Sequence, residues 1–195
     1  LSLMAILIAN GIFKLGVTAR EKAVTVLDPK SQEGIKILAA NVADEVAGFL
    51  KERKKDLLVA TILPQTEASY KQFVNENKKD IWTKQDGKIV KVSIPLYPEM
   101  AYIDRNGTEL IKIVNGEAVP KDKLVNVANP ANTMYKNEDY FAKAKTLNKG
   151  EVYVSRVTGW YVNRSDFDKG KRFAGIIRFS TPLFDKDGFA GVLEF

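Results

Sequence analysis

The chain has 195 residues, of which 45% are hydrophobic and 28% are charged, and this is the composition of a globular protein large enough to build one sizeable core. Its net charge of +6 is a mild basic excess spread along the chain, which argues against a nucleic-acid-binding face. Cysteine and histidine are both absent, which excludes disulfide bonds, Cys/His zinc sites and catalysis by a thiolate or an imidazole.

The N-terminal run, residues 1–13, carries no charge. It is shorter than the ~20 residues that a membrane span needs, so it indicates either the end of a span or a buried amphipathic helix. We expect residues 1–27 to form the end of a transmembrane segment and a juxtamembrane stretch.

Two helices are predicted next. Asp28 and Pro29 supply an N-cap and a proline at the first helical position. Apolar residues then recur on one face as far as Pro64, which predicts a stalk helix of roughly thirty residues or more. A second amphipathic helix is predicted over residues 67–82, ended by the Asp86-Gly87 dipeptide.

Strand signals follow these helices. Residues 88–97 partly alternate, and Pro95 confines that strand to a sheet edge or a strand end. Asn106-Gly107 predicts a hairpin turn within residues 100–114. Residues 115–130 are typical of a turn-rich loop.

The last third of the chain predicts a short helix over residues 140–144 and a strand over 152–155. Asp187-Gly188 separates two apolar runs and predicts a second hairpin. The elements together predict an α+β protein, with a long N-terminal stalk helix and a mostly antiparallel sheet of about five strands.

No motif in the sequence is typical of catalysis, so we expect no enzymatic activity and no cofactor. Asp185, Asp187 and Glu194 are close in sequence, but two of them fall at a predicted turn, where aspartate is common for conformational reasons. We therefore expect no metal site there.

Aromatic and arginine side chains are concentrated after residue 134. Such side chains supply the apolar walls and the guanidinium of small-ligand pockets, although most of the aromatic residues also suit a hydrophobic core. Arg178 lies within the apolar run 176–179, on the same face as Ile176 and Ser180. That face is either the solvent side of the sheet or the lining of a polar pocket.

Several motifs in order resemble the Cache domain, a PAS-like extracytoplasmic sensor of bacterial transmembrane receptors. They are the Tyr-Ile-Asp and Asn-Gly pair at 102–107, the Tyr-Phe helix at 140–144, the Tyr-Val-Ser strand at 153–155 and the Ile-Arg-Phe-Ser-Thr-Pro hairpin strand at 177–182. The resemblance covers roughly residues 35–195 and is densest after Glu99.

The resemblance implies that residues 28–195 are a membrane-distal, PAS-like ligand-sensing module of an incomplete receptor fragment. The receptor would lie in the inner membrane with this module in the periplasm. Its output would be that of a histidine kinase, a chemoreceptor or a cyclic-dinucleotide enzyme. The ligand would bind between the sheet and the helix and loop that cover it, and the change would pass along the stalk helix.

The expected ligand-binding residues combine the motif positions with nearby aromatic and polar side chains. They are Tyr140, Phe141, Tyr153, Ser155, Trp160, Tyr161, Arg178, Ser180, Thr181 and Asp185. Arg178 suggests a carboxylate or another anion as ligand. One departure from the family is that Glu138-Asp139 stands where the amino-acid-sensing branch has an arginine, so an amino acid held by that arginine is not expected.

The expected partners are a small-molecule ligand, the membrane through the N-terminal segment and a second copy through the stalk helix, with no nucleic acid. The alternative hypothesis is a membrane-anchored protein-interaction module with a filled core and no small-molecule ligand.

Overall fold

The computed structural model describes residues 2–85, 87–162, 164, 167 and 172–195, with side-chain positions for all of these except 2–13, 26–27 and 160. Tertiary contacts divide the chain into two units, residues 1–51 and 52–195. The candidate site lies in the second unit.

Helix α1, Ser2–Ala60, makes up the described part of the first unit and ends in the second. The predicted helix start at Asp28 and Pro29 is wrong, because Pro29 lies inside α1. An interior proline costs about 3 kcal/mol, mainly through one lost hydrogen bond and a steric clash. The helix continues through it because a break would create two new helix ends, each with several unpaired backbone groups.

The apolar stripe predicted on α1 is exposed over residues 35–49 and becomes buried at Leu57 and Ala60. Ile35 and Leu38 are 67% and 64% exposed, and Val42 and Val46 are about half exposed. Within the part of the chain that the structure describes, no helix has an apolar stretch long enough to cross a membrane.

Helix α2, Glu67–Glu76, is capped by Thr66, whose Oγ1 accepts a hydrogen bond of 3.2 Å from Ser69 N. The prediction that this helix extends to residue 82 is wrong: it ends at Asn77, and the chain continues as strand β1, Lys78–Gln85. Strand β1 pairs antiparallel with β2, Lys88–Pro95. Gly87 thus lies between two strands, and the β-branched and aromatic residues 81–83 suit a strand better than a helix.

The remaining elements form a second, larger sheet and a separate hairpin. The bounds are β3 Glu99–Asp104, β4 Glu109–Val114, β5 Glu117–Ala118, α3 Tyr140–Lys145, β6 Tyr153–Val154, β7 Thr158–Tyr161, β8 Phe173–Ile176, β9 Phe179–Asp185 and β10 Gly188–Glu194. Short 3-10 turns occupy Lys121–Lys123 and Pro130–Asn132. Strands β7 and β8 pair only with each other among the described residues.

The large sheet has the order β5-β4-β3-β10-β9-β6, and every neighbouring pair is antiparallel. Both predicted hairpins are confirmed: Gly107 and Gly188 take φ of +88° and +105°, which are values that glycine adopts readily. The predicted fold class is confirmed: the described chain is an α+β protein with an antiparallel sheet and a long N-terminal helix.

Both faces of the sheet are buried. On one face Ala101, Ile103 and Val192 form a core cluster with Tyr140 and Phe141 of α3. The opposite face carries alternate strand residues, such as Met100 and Leu193, which are also fully buried. Residues at the end of α1 and on α2 are buried in the same unit; they are Leu57, Ala60, Tyr70 and Val74. The α3 face is the one that carries the candidate site.

Candidate ligand-binding site

A cavity of ≈ 260 Å³ lies beside the N-terminal end of α3. Its walls come from the segment that leads into α3, from β6 and the residues that follow it, and from the junction between β8 and β9. The lining residues are Asn137, Glu138, Asp139, Tyr140, Tyr153, Ser155, Arg156, Thr158 and Arg178. The cavity thus lies between the sheet and the segment that covers it.

Arg178 lies in the short break between β8 and β9 and is only 2% exposed. Its backbone is fixed against the strand on the other side: Arg178 N donates to Ser155 Oγ at 2.9 Å, and Ser155 N donates to Arg178 O at 2.9 Å. Of the two alternatives left by its sequence position, the structure places Arg178 in the wall of a polar cavity rather than on the solvent side of the sheet.

Three buried carboxylates surround the Arg178 guanidinium. Arg178 Nε donates to Glu138 Oε1 at 2.8 Å, and Nη1 lies 3.1 Å from Glu194 Oε2 and 2.9 Å from Glu99 Oε1. The guanidinium carbon also lies 5.3 Å from the centre of the Tyr140 ring. Arg178 is therefore paired before any ligand arrives.

The ion pairs continue away from the cavity through Lys112. Its Nζ lies 3.0 Å from Glu99 Oε1 and 2.7 Å from Glu109 Oε1. We call Glu99, Glu109, Lys112, Glu138, Arg178 and Glu194 the buried charge network. Four carboxylates outnumber two cations in this enclosed cluster, and protonation of one carboxylate reduces the excess of negative charge without removing it.

The pKa shifts follow from this arrangement. Complete burial raises the pKa of Glu194 to about 8, with Arg178 opposing the rise and Glu99 adding to it. Burial alone would raise the pKa of Glu99 as well, but Arg178 and Lys112 hold it below its usual value. Of these two neighbouring carboxyl groups, Glu194 is therefore the one that holds a proton more strongly.

Three carboxylate oxygens in the network lack a well-formed hydrogen bond within the described chain: Glu99 Oε1, Glu99 Oε2 and Glu194 Oε1. Glu99 Oε1 is close to both Arg178 and Lys112, but neither approach has hydrogen-bond geometry. Buried acceptors of this kind are costly, and a proton shared between Glu99 and Glu194 reduces that cost.

Glu138 is held in place by its own local contacts. Tyr135 N donates to Glu138 Oε2 at 3.1 Å, and Glu138 N donates to Thr133 Oγ1 at 3.3 Å. At the cavity rim Tyr153 Oη donates to Asp139 Oδ1 at 3.0 Å. The rim residues Asn137, Asp139 and Arg156 are exposed.

The structure brings together four of the ten predicted site residues: Tyr140, Tyr153, Ser155 and Arg178 all line the cavity. The side chain of Trp160 lies outside the described residues. The other five are not among the lining residues.

Those five have other contacts. Phe141 packs in the core cluster. Ser180 Oγ donates to Tyr140 O at 3.3 Å, and Thr181 Oγ1 donates to Glu151 O at 2.7 Å. Tyr161 is 86% exposed and packs edge-on against Phe173, and Asp185 is an exposed residue 3.3 Å from Arg105.

The acidic members of the network were not predicted as site residues. The sequence does hold a signal for one of them, because Glu194 stands between Leu193 and Phe195 at the end of an apolar strand, and a charge there needs a buried partner. Glu109 follows a turn and has no such signal.

No protein-family model and no curated protein sequence matches the chain. Several solved structures resemble part of it, and two of them are as follows. The extracellular domain of a histidine kinase is 18% identical, with a TM-score of 0.35 over 51% of this chain and 33% of that one. A domain of a sensory box/GGDEF family protein from Vibrio parahaemolyticus is 21% identical, with a TM-score of 0.35 over 51% of this chain and 35% of that one. The chain thus spans about a third of each of these structures.

Proposed function

We propose that this chain is an extracytoplasmic, small-ligand-sensing module of a bacterial signal-transduction receptor of the Cache type. The observation that carries the proposal is the cavity of ≈ 260 Å³ between the sheet and the segment leading into α3. Two aromatic side chains, Tyr140 and Tyr153, line this cavity beside mostly polar and charged groups, and such a lining suits a small polar ligand. The ordered motifs at 102–107, 140–144, 153–155 and 177–182 support the same proposal. The module has no catalytic role in this account.

A chain of contacts from the cavity to α1 indicates how a bound ligand would act on the helix. Arg178 in the cavity wall pairs with Glu194 of β10, and the adjacent Phe195 stacks on Tyr97 with ring centres 4.2 Å apart. The Tyr97 hydroxyl in turn donates to Asp56 of α1. A ligand that moves Arg178 would therefore alter packing at the end of α1, and differential affinity for two such arrangements would constitute the signal.

The receptor context is part of the proposal. We place the module on the periplasmic side of the inner membrane, connected to the membrane through its N-terminal segment. Dimerisation through the exposed apolar stripe of α1 would present two modules to one output. That output would be a histidine kinase, a chemoreceptor or a cyclic-dinucleotide enzyme.

A thermal-shift screen of the whole chain tests the proposal, with carboxylates, amines, amino acids and purines as probes. A ligand at 100 times its dissociation constant stabilises a protein by about 2.7 kcal/mol, which is readily measured as a rise in melting temperature. The screen is repeated with Thr158→Trp, which fills the cavity. Thr83→Trp is the matched control, because Thr83 is also a half-buried threonine in a two-stranded sheet.

We expect hits that Thr158→Trp abolishes and Thr83→Trp retains. Hits that Thr158→Trp still binds would show that the ligand binds outside this cavity. The absence of hits across the whole screen would contradict ligand sensing and favour the protein-interaction module.

A further inference from the structure

The positive charge of the buried cation in the cavity wall is already compensated. An anionic ligand needs a cation, and Arg178 is the buried side chain that would supply it. Its Nε is bonded to Glu138, and its Nη1 lies between Glu194 and Glu99. A ligand carboxylate would therefore bind Arg178 only through Nη2, close to three carboxylates that repel it.

The hydroxyl groups of the wall are committed in the same way. Tyr153 Oη donates to Asp139, and Ser155 Oγ and Thr158 Oγ1 both donate to the backbone oxygen of Arg156, at 2.7 Å and 3.4 Å. Each hydroxyl has one proton to donate, so these three groups meet a ligand chiefly as acceptors.

Acceptors, in contrast, are abundant. A carboxylate offers about four lone-pair sites, and the hydrogen bonds that Glu138 and Asp139 accept use only part of them. Behind the wall, the buried charge network keeps more carboxylates than cations even with a proton on Glu194. The cavity therefore favours a ligand that donates hydrogen bonds and carries positive charge.

The remaining cation of the wall, Arg156, does not reverse this balance. It is exposed at the rim, where water screens its charge, whereas the Glu138 carboxylate is buried in the wall. The aromatic side chains of Tyr140 and Tyr153 also line the cavity, and aromatic faces attract cations.

We propose that the ligand of this cavity is an organic cation, a small primary amine whose ammonium group binds to Glu138 and Asp139. The inference rests on the proposed sensing function and specifies the class of ligand. It differs from the anion that the sequence suggested, because the arginine behind that suggestion is already neutralised by its neighbours.

The test measures binding to the whole chain by calorimetry and thermal shift with size-matched probes. The cationic probes are n-butylamine and 1,4-diaminobutane, the anionic probes are n-butyrate and succinate, and the neutral probe is n-butanol. Asp139→Asn is the informative variant, because Asp139 is exposed and does not contact Arg178, so the fold does not depend on it. Asp187→Asn makes the same charge change at an exposed position outside the cavity.

We expect saturable binding of the amines and none of the anions or the alcohol. Asp139→Asn should weaken amine binding by about tenfold, the loss of one charge-assisted hydrogen bond, and Asp187→Asn should leave it unchanged. If the anions bind, and an Arg156→Gln variant no longer binds them, the proposal of a cationic ligand is wrong while the sensing function stands. If none of these probes binds but the wider screen gives other hits that Thr158→Trp abolishes, the cationic ligand is likewise wrong and the sensing function stands. Failure of every probe in both experiments would overturn both proposals.

Discussion

Replacing Glu194 by glutamine isolates the proton that the buried charge network holds. The folded chain raises the pKa of Glu194 from 4.5 to about 8, because the side chain is completely buried. The protonated form is thus favoured in the folded state, while the unfolded chain loses this proton at lower pH. Stability therefore falls as the pH rises from about 5 to about 8, and it levels off above the folded-state pKa.

The magnitude follows from the size of the shift. One pKa unit corresponds to about 1.4 kcal/mol, so the rise gives a loss on the order of 4 kcal/mol in the free energy of unfolding across this pH window. Glu194→Gln keeps the shape of a protonated glutamate and cannot ionise. We expect the variant to match the natural chain within about 1 kcal/mol near pH 5 and to exceed it by about 2 to 4 kcal/mol near pH 8.5.

Urea unfolding at intervals between pH 5 and pH 8.5 measures these free energies. Asp122→Asn is the control for loss of a carboxylate, because Asp122 is an exposed residue outside the network. Two results would refute the reasoning. One is a pH-independent free energy of unfolding in the natural chain, and the other is equal destabilisation by Glu194→Gln at both ends of the pH range, which would mean that Glu194 is ionised and needed as a counter-charge for Arg178.

Two further predictions concern single positions. Arg178→Gln leaves three buried carboxylates without their shared cation. We therefore expect the free energy of unfolding in urea to fall by about 3 to 5 kcal/mol at pH 7, and by less near pH 5, where carboxylates take up protons. An equal loss at both pH values would contradict the charge network. Gly191→Ala places a Cβ 2.1 Å from Ile103 O in the middle of the sheet, so we expect it to lower the melting temperature strongly, whereas Gly34→Ala, whose Cβ meets nothing within 4 Å, should stabilise α1 slightly. Equal melting temperatures for both glycine variants would show that β3 and β10 separate easily.

Local chemistry made much of the fold predictable. The Asn106-Gly107 and Asp187-Gly188 hairpins depend on backbone conformations that few other residue pairs adopt, so the sequence signal is short-range and specific. The short helix at residue 140 was equally clear. The prediction of a helix as far as residue 82 was wrong because residues 78–85 pair with β2 and form a strand.

Proline shows a different failure. Pro29 was expected to begin a helix, since its preferred φ and missing donor suit the first turn. The rule describes a preference, and the long helix on both sides outweighs it. The length of α1, which decides the case, is a property of the whole segment rather than of the Asp-Pro dipeptide.

The site was predictable only at its motif positions. The sequence drew attention to Arg178 because a charge in an apolar run requires a polar neighbour. It did not reveal which neighbours, because Glu138 and Glu194 reach Arg178 from positions 40 and 16 residues away. The consequence is chemical: an isolated arginine suggests an anionic ligand, whereas an arginine held by three carboxylates does not.

The most direct test of the central claim is a two-dimensional amide NMR titration of the chain with the strongest hit from the screen. The account predicts saturable shifts at residues 137–140, 153, 155, 156, 158 and 178, which line the cavity, together with smaller shifts at Glu194 and Phe195. The amides of β1 and β2 should not move. Saturable shifts confined to residues outside the cavity, or no saturable shifts at all, would contradict a ligand site between α3 and the sheet.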